Sequence, residues 1–258
     1  MLTSEEIKKR FPALTAVEVY DTIGSTNTRA IELARAGTPG VALVLADSQS
    51  GGRGRVSRPF YSPPGTGIYL TLLTRPRVAP DLLPRLTPLA AVATAEAIEE
   101  VTGVRVGVKW VNDLWLGEKK ITGILTEGAF RADGTPDYAV IGIGVNVGHM
   151  TFPRELASVA SSIASETGTA PDRDRLTLAM IDRLLTRLAV FPGGDFLDVY
   201  RARSVLDGRD VTVSRGTETF DARVLGIAPD GCLRLRLPDG AELALPSGEI
   251  AHVSPRKR

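Results

Sequence analysis

Two kinds of hydrophobic pattern follow one another along most of the chain. Short runs of consecutive or alternating apolar residues are typical of strands, whereas apolar residues spaced three and four apart are typical of helices. Strands are predicted at 16–21, 41–46, 67–74, 104–110 and 138–147, with a hairpin turning at Gly117–Glu118. Helices are predicted at 3–11, 27–37, 86–101, 157–166, 172–190 and 195–203. This mixed order indicates an α+β domain in which helices pack against one mixed β-sheet.

The hydrophobic pattern changes after Gly208. From there on Val, Leu and Arg alternate, and Pro-Asp-Gly occurs twice, at 229–231 and 238–240. Alternation interrupted by such turns is typical of short antiparallel strands. We therefore predict a large domain over residues 1–207 and a small all-β domain of four or five strands over residues 208–258.

Composition and charge limit the classes of protein that this chain can belong to. The formal net charge is +1, which argues against an obligate nucleic-acid binder. The single cysteine, Cys232, cannot form an internal disulfide, and the first residues lack the apolar core of a signal peptide. No apolar run approaches the ~18–20 residues of a membrane span. We expect a soluble cytoplasmic protein, and the isolated His149 and His252 give no reason to expect a metal site.

Residues 47–60, DSQSGGRGRVSRPF, form the most unusual segment, which we call the arginine loop. It combines three arginines with three glycines and three serines. Arginine presents a fixed fork of donors that suits carboxylate and phosphate oxygens, and glycine lets a backbone approach a ligand closely. We expect the loop to be poorly ordered until an anion neutralises it. Taken alone, a solvated surface loop is the commoner explanation of such a segment.

Other polar residues sit at the ends of predicted strands, where side chains can converge on a cleft. Lys109, Asn112 and Asp113 follow one strand, Lys120 precedes another that contains Gly123, and Asn146 ends a third. Trp110 and Trp115 are expected to pack in the core, and residues 118–120 alone would be a solvated turn.

Two further motifs are ambiguous when considered alone. Ser25, Thr26 and Asn27 are ordinary helix caps, although they would also suit a neutral hydrogen-bonding ligand. GIGVNVG at 142–148 lacks the spacing of a dinucleotide fingerprint, and no Walker, G-x-S-x-G or H-E-x-x-H motif occurs. The remaining pattern suits phosphoanhydride chemistry on a small substrate.

In combination and in order, these segments resemble those of the biotin protein ligases. The matching strings are GSTN at 24–27, DSQSGGRGRVSR at 47–58, GIYLT at 67–71, KWVNDLWL at 109–116, KKITGIL at 119–125, GIGVN at 142–146 and SGEI at 247–250. The resemblance implies a catalytic domain like those of class II synthetases and biotin and lipoate ligases, followed by an SH3-like barrel.

The resemblance also implies a two-step reaction with ATP. The biotin carboxylate attacks the α-phosphate of MgATP, and a lysine of a biotin carboxyl carrier protein then attacks the resulting biotinyl-5′-AMP. Biotin, ATP and the carrier domain are the implied partners, Mg²⁺ arrives with the ATP, and a homodimer is left open. Since the motifs begin at Gly24, we expect no DNA-binding domain and no repressor role. The lack of a long apolar run leads us to expect no membrane contact.

The residue roles implied by the resemblance divide into three groups. The biotin side comprises Ser25, Thr26, Asn27, Gln49, Gly52, Arg53, Gly54, Arg55, Lys120 and Gly123. The ATP and adenylate side comprises Arg55, Arg58, Phe60, Asn112, Asp113, Lys120 and Asn146. The catalytic group comprises Lys109, Lys120 and Arg55, and no residue is assigned to a metal.

The chain departs from the family pattern at two places. Val111 stands where many members have proline, and Pro59–Phe60 replaces a frequent Lys-Trp pair. We expect the first to alter local rigidity, and Phe60 could still pack against adenine.

Two alternative functions remain at the level of sequence. A lipoate- or octanoate-handling relative would bind an acid without a ureido ring, so Gln49 and the 25–27 segment would have no such group to recognise. A non-enzymatic nucleic-acid binder would use the arginine loop together with the basic tail at 255–258.

Overall fold

The computed structural model describes residues 2–254, so the basic tail at 255–258 lies outside the described residues. The helices of the described chain are α1 (Ser4–Arg10), α2 (Thr26–Arg35), α3 (Leu86–Thr102), α4 (Ile163–Thr167), α5 (Arg173–Ala189) and α6 (Phe196–Ala202). The strands of the main sheet are β1 (Leu14–Ile23), β2 (Val41–Gln49), β3 (Gly67–Thr74), β4 (Gly107–Lys109), β5 (Asp113–Leu116), β6 (Lys119–Phe130) and β7 (Pro136–Asn146). Those of the second sheet are β8 (Asp210–Arg215), β9 (Glu218–Ile227), β10 (Leu233–Arg236), β11 (Glu242–Leu245) and β12 (Glu249–Val253).

The main sheet is mixed. Within residues 2–254 it has seven strands in the order β1-β2-β3-β7-β6-β5-β4. The pair β1–β2 is parallel, and the other neighbouring pairs are antiparallel. Gly123 of β6 lies opposite Gly144 of β7, and Gly142 lies between Thr71 and Leu125. The centre of the sheet therefore presents backbone where most strands present side chains.

Helices cover both faces of this sheet. Successive residues of β2 alternate between two hydrophobic clusters, since Leu43 belongs to the larger one and Val44 to the smaller. The alanine-rich α3 is buried in the larger cluster, whereas Ala30 and Ala34 place α2 in the smaller one. On this face α2 covers the sheet only as far as the first residue of the helix, Thr26. The neighbouring part of the sheet is therefore available to a ligand.

The structure confirms the predicted fold class of helices packed on a mixed sheet plus a small all-β domain. The C-terminal sheet of the described chain contains five antiparallel strands in the order β11-β10-β9-β8-β12. No helix in the described part of the chain combines the length and apolarity that crossing a membrane requires.

The helix predicted at 157–166 is wrong in its first half. Residues 154–160 form turns and a bridge, and α4 begins only at Ile163 after the capping residue Ser162. The reason is a long-range pairing that competes with helix formation. The amide of Lys120 donates to the carbonyl of Val159, and the amide of Ser161 donates to the carbonyl of Lys120, both at 2.9 Å.

Candidate active site

The polar residues singled out by the sequence motifs surround two adjoining cavities on the face of the sheet that carries α2. In the described part of the chain their volumes are about 40 and 450 Å³. The smaller one is lined by the predicted residues Ser25, Thr26, Asn27, Gln49, Arg53, Gly54, Arg55, Phe60, Asn112, Lys120 and Gly123. The larger one is lined by the predicted residues Gly54, Arg55, Arg58, Phe60, Lys109, Asn112, Asp113, Lys120 and Asn146.

Gln49 links the start of α2 to the arginine loop. Its side-chain oxygen accepts from the amide of Thr26 at 2.9 Å and lies 3.1 Å from the Thr26 hydroxyl. Its nitrogen donates to the Ser62 hydroxyl at 3.0 Å. A Cβ on Gly52 would lie only 3.0 Å from that nitrogen and 2.5 Å from the carbonyl oxygen of Phe60. Gly52 therefore supports Gln49 from behind rather than lining either cavity.

Asn27 is almost fully buried, at 4% exposure, and its amide is fixed on both sides. Its Nδ2 donates to the carbonyl of Leu125 at 3.2 Å and to Glu127 Oε2 at 2.9 Å. Its Oδ1 accepts from the Thr71 hydroxyl at 2.6 Å. A Cβ on Gly142 would lie 1.9 Å from this oxygen, so only glycine leaves room for the amide.

The arginine loop folds back over the cavities as a narrow hairpin. The amide of Gly54 donates to the carbonyl of Arg58 at 2.7 Å, and the amide of Phe60 donates to the carbonyl of Gly52 at 2.9 Å. The Arg53 guanidinium forms an ion pair with Glu127. Expected disorder of the free loop stays a prediction, although the structure supplies an acceptor for Arg53 within the chain itself.

The other two loop arginines contact the C-terminal domain. Arg55 donates to the side-chain oxygen of Asn112 at 3.1 Å and to the carbonyl of Gly248 at 3.0 Å. Arg58 forms an ion pair with Glu249, the first residue of β12. The loop is thus held between the main sheet and residues 248–249 of the small domain.

Phe60 forms the wall between the two cavities. A Cβ on Gly144 would lie 2.3 Å from its ring, and a Cβ on Gly123 would lie 2.9 Å from it. The ring therefore rests directly on the glycines at the centre of the sheet, with Tyr69 at its edge and the Lys120 ammonium 6.0 Å from its centre. This position explains why so little volume remains in the smaller cavity.

Two lysines, Lys109 and Lys120, line the larger cavity beside Phe60. Lys120 Nζ lies 2.7 Å from a carboxylate oxygen of Asp113. Lys109 donates to the carbonyl of Ile250 at 3.0 Å and lies over the Trp115 ring at 5.2 Å. Burial lowers the pKa of Lys109 below its ordinary value, against the opposing effect of Asp113, and the nearby Lys120 lowers the pKa further. The site therefore holds cationic charge that only an anionic ligand would neutralise fully.

The segment from Trp110 to Asp113, which joins β4 to β5, is fixed by hydrogen bonds to several other parts of the chain. Trp110 is 2% exposed, as expected for a core residue, and its indole N–H donates to the carbonyl of Gly231 at 3.0 Å. The Trp110–Val111 peptide is cis, at the position where the family pattern has proline. Tyr200 donates to the carbonyl of Val111 at 2.8 Å, and Asn112 donates to the carbonyl of Ile124 at 3.0 Å.

Asn146 lines the larger cavity with one polar atom unused. Its nitrogen donates to the carbonyl of Ser161 at 2.9 Å. Its side-chain oxygen is buried and has no hydrogen-bond partner among residues 2–254. An acceptor left free on a cavity wall is suited to a donor group of a ligand.

Sequence reasoning missed three contributions to the site. Glu127 reaches Arg53 and Asn27, Trp115 faces the larger cavity rather than the core, and His252 of β12 lines that cavity. Apolar residues of the same cavity come from segments with no motif, namely Tyr61, Phe152, Leu156 and Val159. The period-two spacing of Gly123, Leu125 and Glu127 along β6 was the signal that could have found Glu127.

No group of three or more His, Cys, Asp or Glu side chains within residues 2–254 is placed to hold a metal ion. Two carboxylates near the larger cavity are already paired, Asp113 with Lys120 and Glu249 with Arg58.

Comparison with known proteins gives matches along nearly the whole chain. Residues 19–146 match the Biotin/lipoate A/B protein ligase family, and residues 208–253 match the Biotin protein ligase C terminal domain. The bifunctional ligase/repressor BirA of Bacillus subtilis is 34% identical over 86% of this chain and 69% of its own length. The biotin–[acetyl-CoA-carboxylase] ligase of Paracoccus denitrificans is 32% identical over 88% of this chain and 96% of its own.

A solved structure is similar to this protein over most of its length. The biotin protein ligase from Aquifex aeolicus, in complex with biotin and ATP, superimposes with a TM-score of 0.78 at 25% identity. The alignment covers 93% of this chain and all of that one. Both the mixed sheet and the small antiparallel sheet are therefore common to the two proteins.

Proposed function

We propose that this chain, which belongs to the Biotin/lipoate A/B protein ligase family, transfers the biotinyl group to a lysine of a biotin carboxyl carrier protein. It is an ATP-dependent biotin ligase. Relatives of similar length are named biotin–[acetyl-CoA-carboxylase] ligases, and the similar Aquifex aeolicus structure contains biotin and ATP. The observation that carries the proposal is the arrangement of two cavities that share a cationic wall. Away from this wall the smaller cavity has the neutral polar groups of Ser25, Thr26, Asn27 and Gln49, whereas the larger cavity has enough volume for a nucleotide.

The first step joins two anions, a carboxylate and a triphosphate. A carboxylate oxygen of biotin attacks the α-phosphorus of MgATP, a P–O bond forms, and the bond to the bridging oxygen of pyrophosphate breaks. Negative charge builds up at phosphorus and on the leaving group, and fixed cations stabilise it best in a site with little water. Lys120 and Arg55 line both cavities at this junction, and Lys109 lines the larger one. Metal ions enter with ATP as part of the substrate.

Lys120 is placed to change partners during this step. Its ammonium lies 2.7 Å from Asp113, next to the floor of the smaller cavity at Gly123. We propose that the biotin carboxylate and then the α-phosphate replace Asp113 as its partner. Lys109, whose pKa is lowered by burial, gains a compensating charge when the phosphates arrive. That gain makes anion binding more favourable than it would be for a fully hydrated lysine.

Neutral groups of the smaller cavity would recognise the ureido ring. Ser25, Thr26, Asn27 and Gln49 supply hydroxyl and amide groups around it. A volume of about 40 Å³ holds only a few water molecules, so a bicyclic ring requires more space. We propose that the Phe60 ring moves off Gly123 and Gly144 when biotin enters.

ATP would occupy the larger cavity, with its phosphates toward the shared wall. Arg55, Arg58 and Lys109 face that end. Tyr61, Phe152 and Leu156 provide an apolar wall for the adenine base. Asn146 offers a buried acceptor oxygen to a donor on the nucleotide.

The second step needs access for one lysine and protection from water. The carrier lysine attacks the carbonyl carbon of biotinyl-5′-AMP, an amide forms, and AMP leaves with the electron pair of the broken C–O bond. The arginine loop covers the junction of the cavities in the structure. We propose that it keeps water from the mixed anhydride until the carrier domain docks.

Mass spectrometry of a carrier domain tests this proposal. Purified protein is incubated with biotin, MgATP and a biotin carboxyl carrier domain, and the carrier is digested and mapped. We expect one biotinylated lysine, and none when ATP is omitted. A carrier that stays unmodified while biotin is adenylated would contradict the transfer step.

We further propose that the protein acts in the cytoplasm without binding DNA, and we leave open whether it forms a homodimer. Filter binding to random DNA and RNA at two salt concentrations tests the first point. Salt-sensitive binding in the absence of ATP–pyrophosphate exchange would support a nucleic-acid binder instead. Sedimentation with and without biotin and ATP tests the second.

A further inference from the structure

We infer that Glu127 is a positioning residue that orients Asn27 toward the bound ring and fastens the arginine loop in its closed position. The inference rests on the proposed function, because it concerns the biotin side of that same site. Glu127 lies on β6, four residues after Gly123, and none of the sequence motifs points to it. Its carboxylate is partly buried, with 28% of the side chain exposed.

The two oxygens of this carboxylate serve two different elements. Oε2 accepts from Asn27 Nδ2 at 2.9 Å, and Oε1 forms the ion pair with Arg53. Asn27 belongs to α2 and Arg53 to the arginine loop, 100 and 74 residues away in sequence. A second contact from Arg53 to the Thr28 hydroxyl, at 3.4 Å, ties the loop to the same turn of α2.

Glu127 decides which end of the Asn27 amide faces the ligand. An ionised carboxylate and a carbonyl can only accept hydrogen bonds, so Glu127 and Leu125 both require the amide nitrogen. Both hydrogens on that nitrogen are thereby occupied. The amide oxygen takes one hydrogen bond from Thr71 and keeps a second lone pair. An N–H donor of the ureido ring is the complementary group.

The same contact couples ring recognition to closure of the loop. Opening the loop at Arg53 removes the charge that balances Glu127, which then remains as the acceptor for Asn27 alone. Closing the loop restores the pair and adds a cation beside the turn that holds the ring. Because one carboxylate joins both partners, the loop closes most favourably when the Asn27 amide is in its binding orientation.

The closest test is Glu127→Gln compared with Glu18→Gln. Glutamine keeps the size but offers one acceptor oxygen for two donors, so Asn27 or Arg53 must face an amide N–H. Glu18 is a matched control on β1, with 26% of its side chain exposed and an ion pair to Arg29 at 2.8 Å. It lies outside both cavities.

Four quantities are compared: KM for biotin, KM for ATP, kcat of pyrophosphate exchange, and the rate at which biotinyl-5′-AMP dissociates. We expect Glu127→Gln to raise the KM for biotin and the dissociation rate roughly ten-fold or more. The KM for ATP and kcat should stay within two-fold of the Glu18→Gln values, with similar thermal unfolding in both variants. A purely structural role would change all four quantities together.

Arg53→Gln breaks the same ion pair from the loop side and keeps the inference falsifiable if Glu127→Gln folds poorly, because an unchanged KM for biotin in this variant would overturn it. Where both variants fold, they also form a double-mutant cycle. Arg53→Gln changes a loop side chain that is 43% exposed, and it should raise the KM for biotin by itself. The double variant should be little worse than the more impaired single variant, since both remove the same contact. Fully additive effects would overturn the inference.

The two proposals fail in different ways. Wild-type protein without biotin-dependent exchange would overturn the proposed function and this inference with it. Normal wild-type exchange, with Glu127→Gln indistinguishable from Glu18→Gln, would overturn the inference alone.

Discussion

Gly142→Ala changes one methyl group at the centre of the sheet and tests whether Asn27 recognises the ligand. The added Cβ would lie 1.9 Å from Asn27 Oδ1, 2.7 Å from its Cγ and 2.9 Å from its Nδ2. The amide must move by about 1.1 Å or more before the shortest of these contacts is tolerable. The backbone at Gly142 does not need glycine for conformational reasons, because its φ is not positive. The effect is therefore steric.

The cost follows from the three hydrogen bonds that hold this amide. Thr71, Leu125 and Glu127 all contact it, and the bond to the carboxylate is the strongest kind. A shift of that size weakens all three, which corresponds to about 2–4 kcal/mol of unfolding free energy. Ring recognition is lost at the same time, so we expect the KM for biotin to rise about 100-fold. The KM for ATP should change little.

Gly128→Ala provides the control on a neighbouring strand. Its Cβ would meet Leu83 Cδ2 at 2.9 Å and the carbonyl of Tyr138 at 3.1 Å, away from both cavities. Thermal unfolding and pyrophosphate exchange at varied biotin and ATP concentrations are measured for both variants. If folded Gly142→Ala shows the same KM for biotin as Gly128→Ala, Asn27 does not recognise the ligand.

Three further predictions concern the cationic groups. Arg55→Gly removes the contacts to Asn112 and Gly248, so biotinyl-5′-AMP should escape and label bystander lysines. Labelling that stays confined to the carrier protein would contradict a covering role for the loop. Trypsin cleavage within residues 53–58 should slow when biotin and ATP are added together, and unchanged cleavage would argue against ordering by ligands. Lys109→Met should abolish exchange yet raise the melting temperature near neutral pH, because burial lowers the pKa of this lysine and its charge opposes folding. The destabilisation by the buried charge is complete below the lowered pKa of Lys109 and disappears as pH approaches the ordinary value of 10.5. The difference in melting temperature between Lys109→Met and the wild type should therefore shrink at alkaline pH. A difference that stays constant or grows would refute this prediction.

The fold was predictable where the hydrophobic pattern is local. The strands around 41–46 and 67–74 and the long helices at 86–101 and 172–190 occur close to their predicted positions. The pattern fails at 157–162, because the backbone there pairs with Lys120 and nothing local signals that partner. Predicted strand 104–110 likewise shortens to β4, residues 107–109.

The site was predictable only as far as chemistry follows a motif. Lys109, Asn112 and Lys120 belong to short sequence motifs that indicate a ligand-binding role without any knowledge of the fold. Glu127 does not, since its role depends on partners 100 and 74 residues away that only the folded sheet brings together. The contact between Arg55 and Gly248 spans 193 residues and joins two domains, so no local pattern could reveal it.

The apolar wall of the larger cavity illustrates a second limit. Phe152, Leu156 and Val159 lie in a segment of irregular backbone and turns, where neither the helical period nor strand alternation applies. Their side chains reach the cavity because the bridge between Lys120 and Ala160 places the segment beside it.

Biotin-dependent ATP–pyrophosphate exchange is the measurement that tests the central claim most directly. Purified protein is incubated with ATP, Mg²⁺ and labelled pyrophosphate, with either biotin or lipoate. We predict that biotin stimulates the return of label into ATP and that lipoate at the same concentration does not. Exchange stimulated by lipoate but not by biotin would contradict the account.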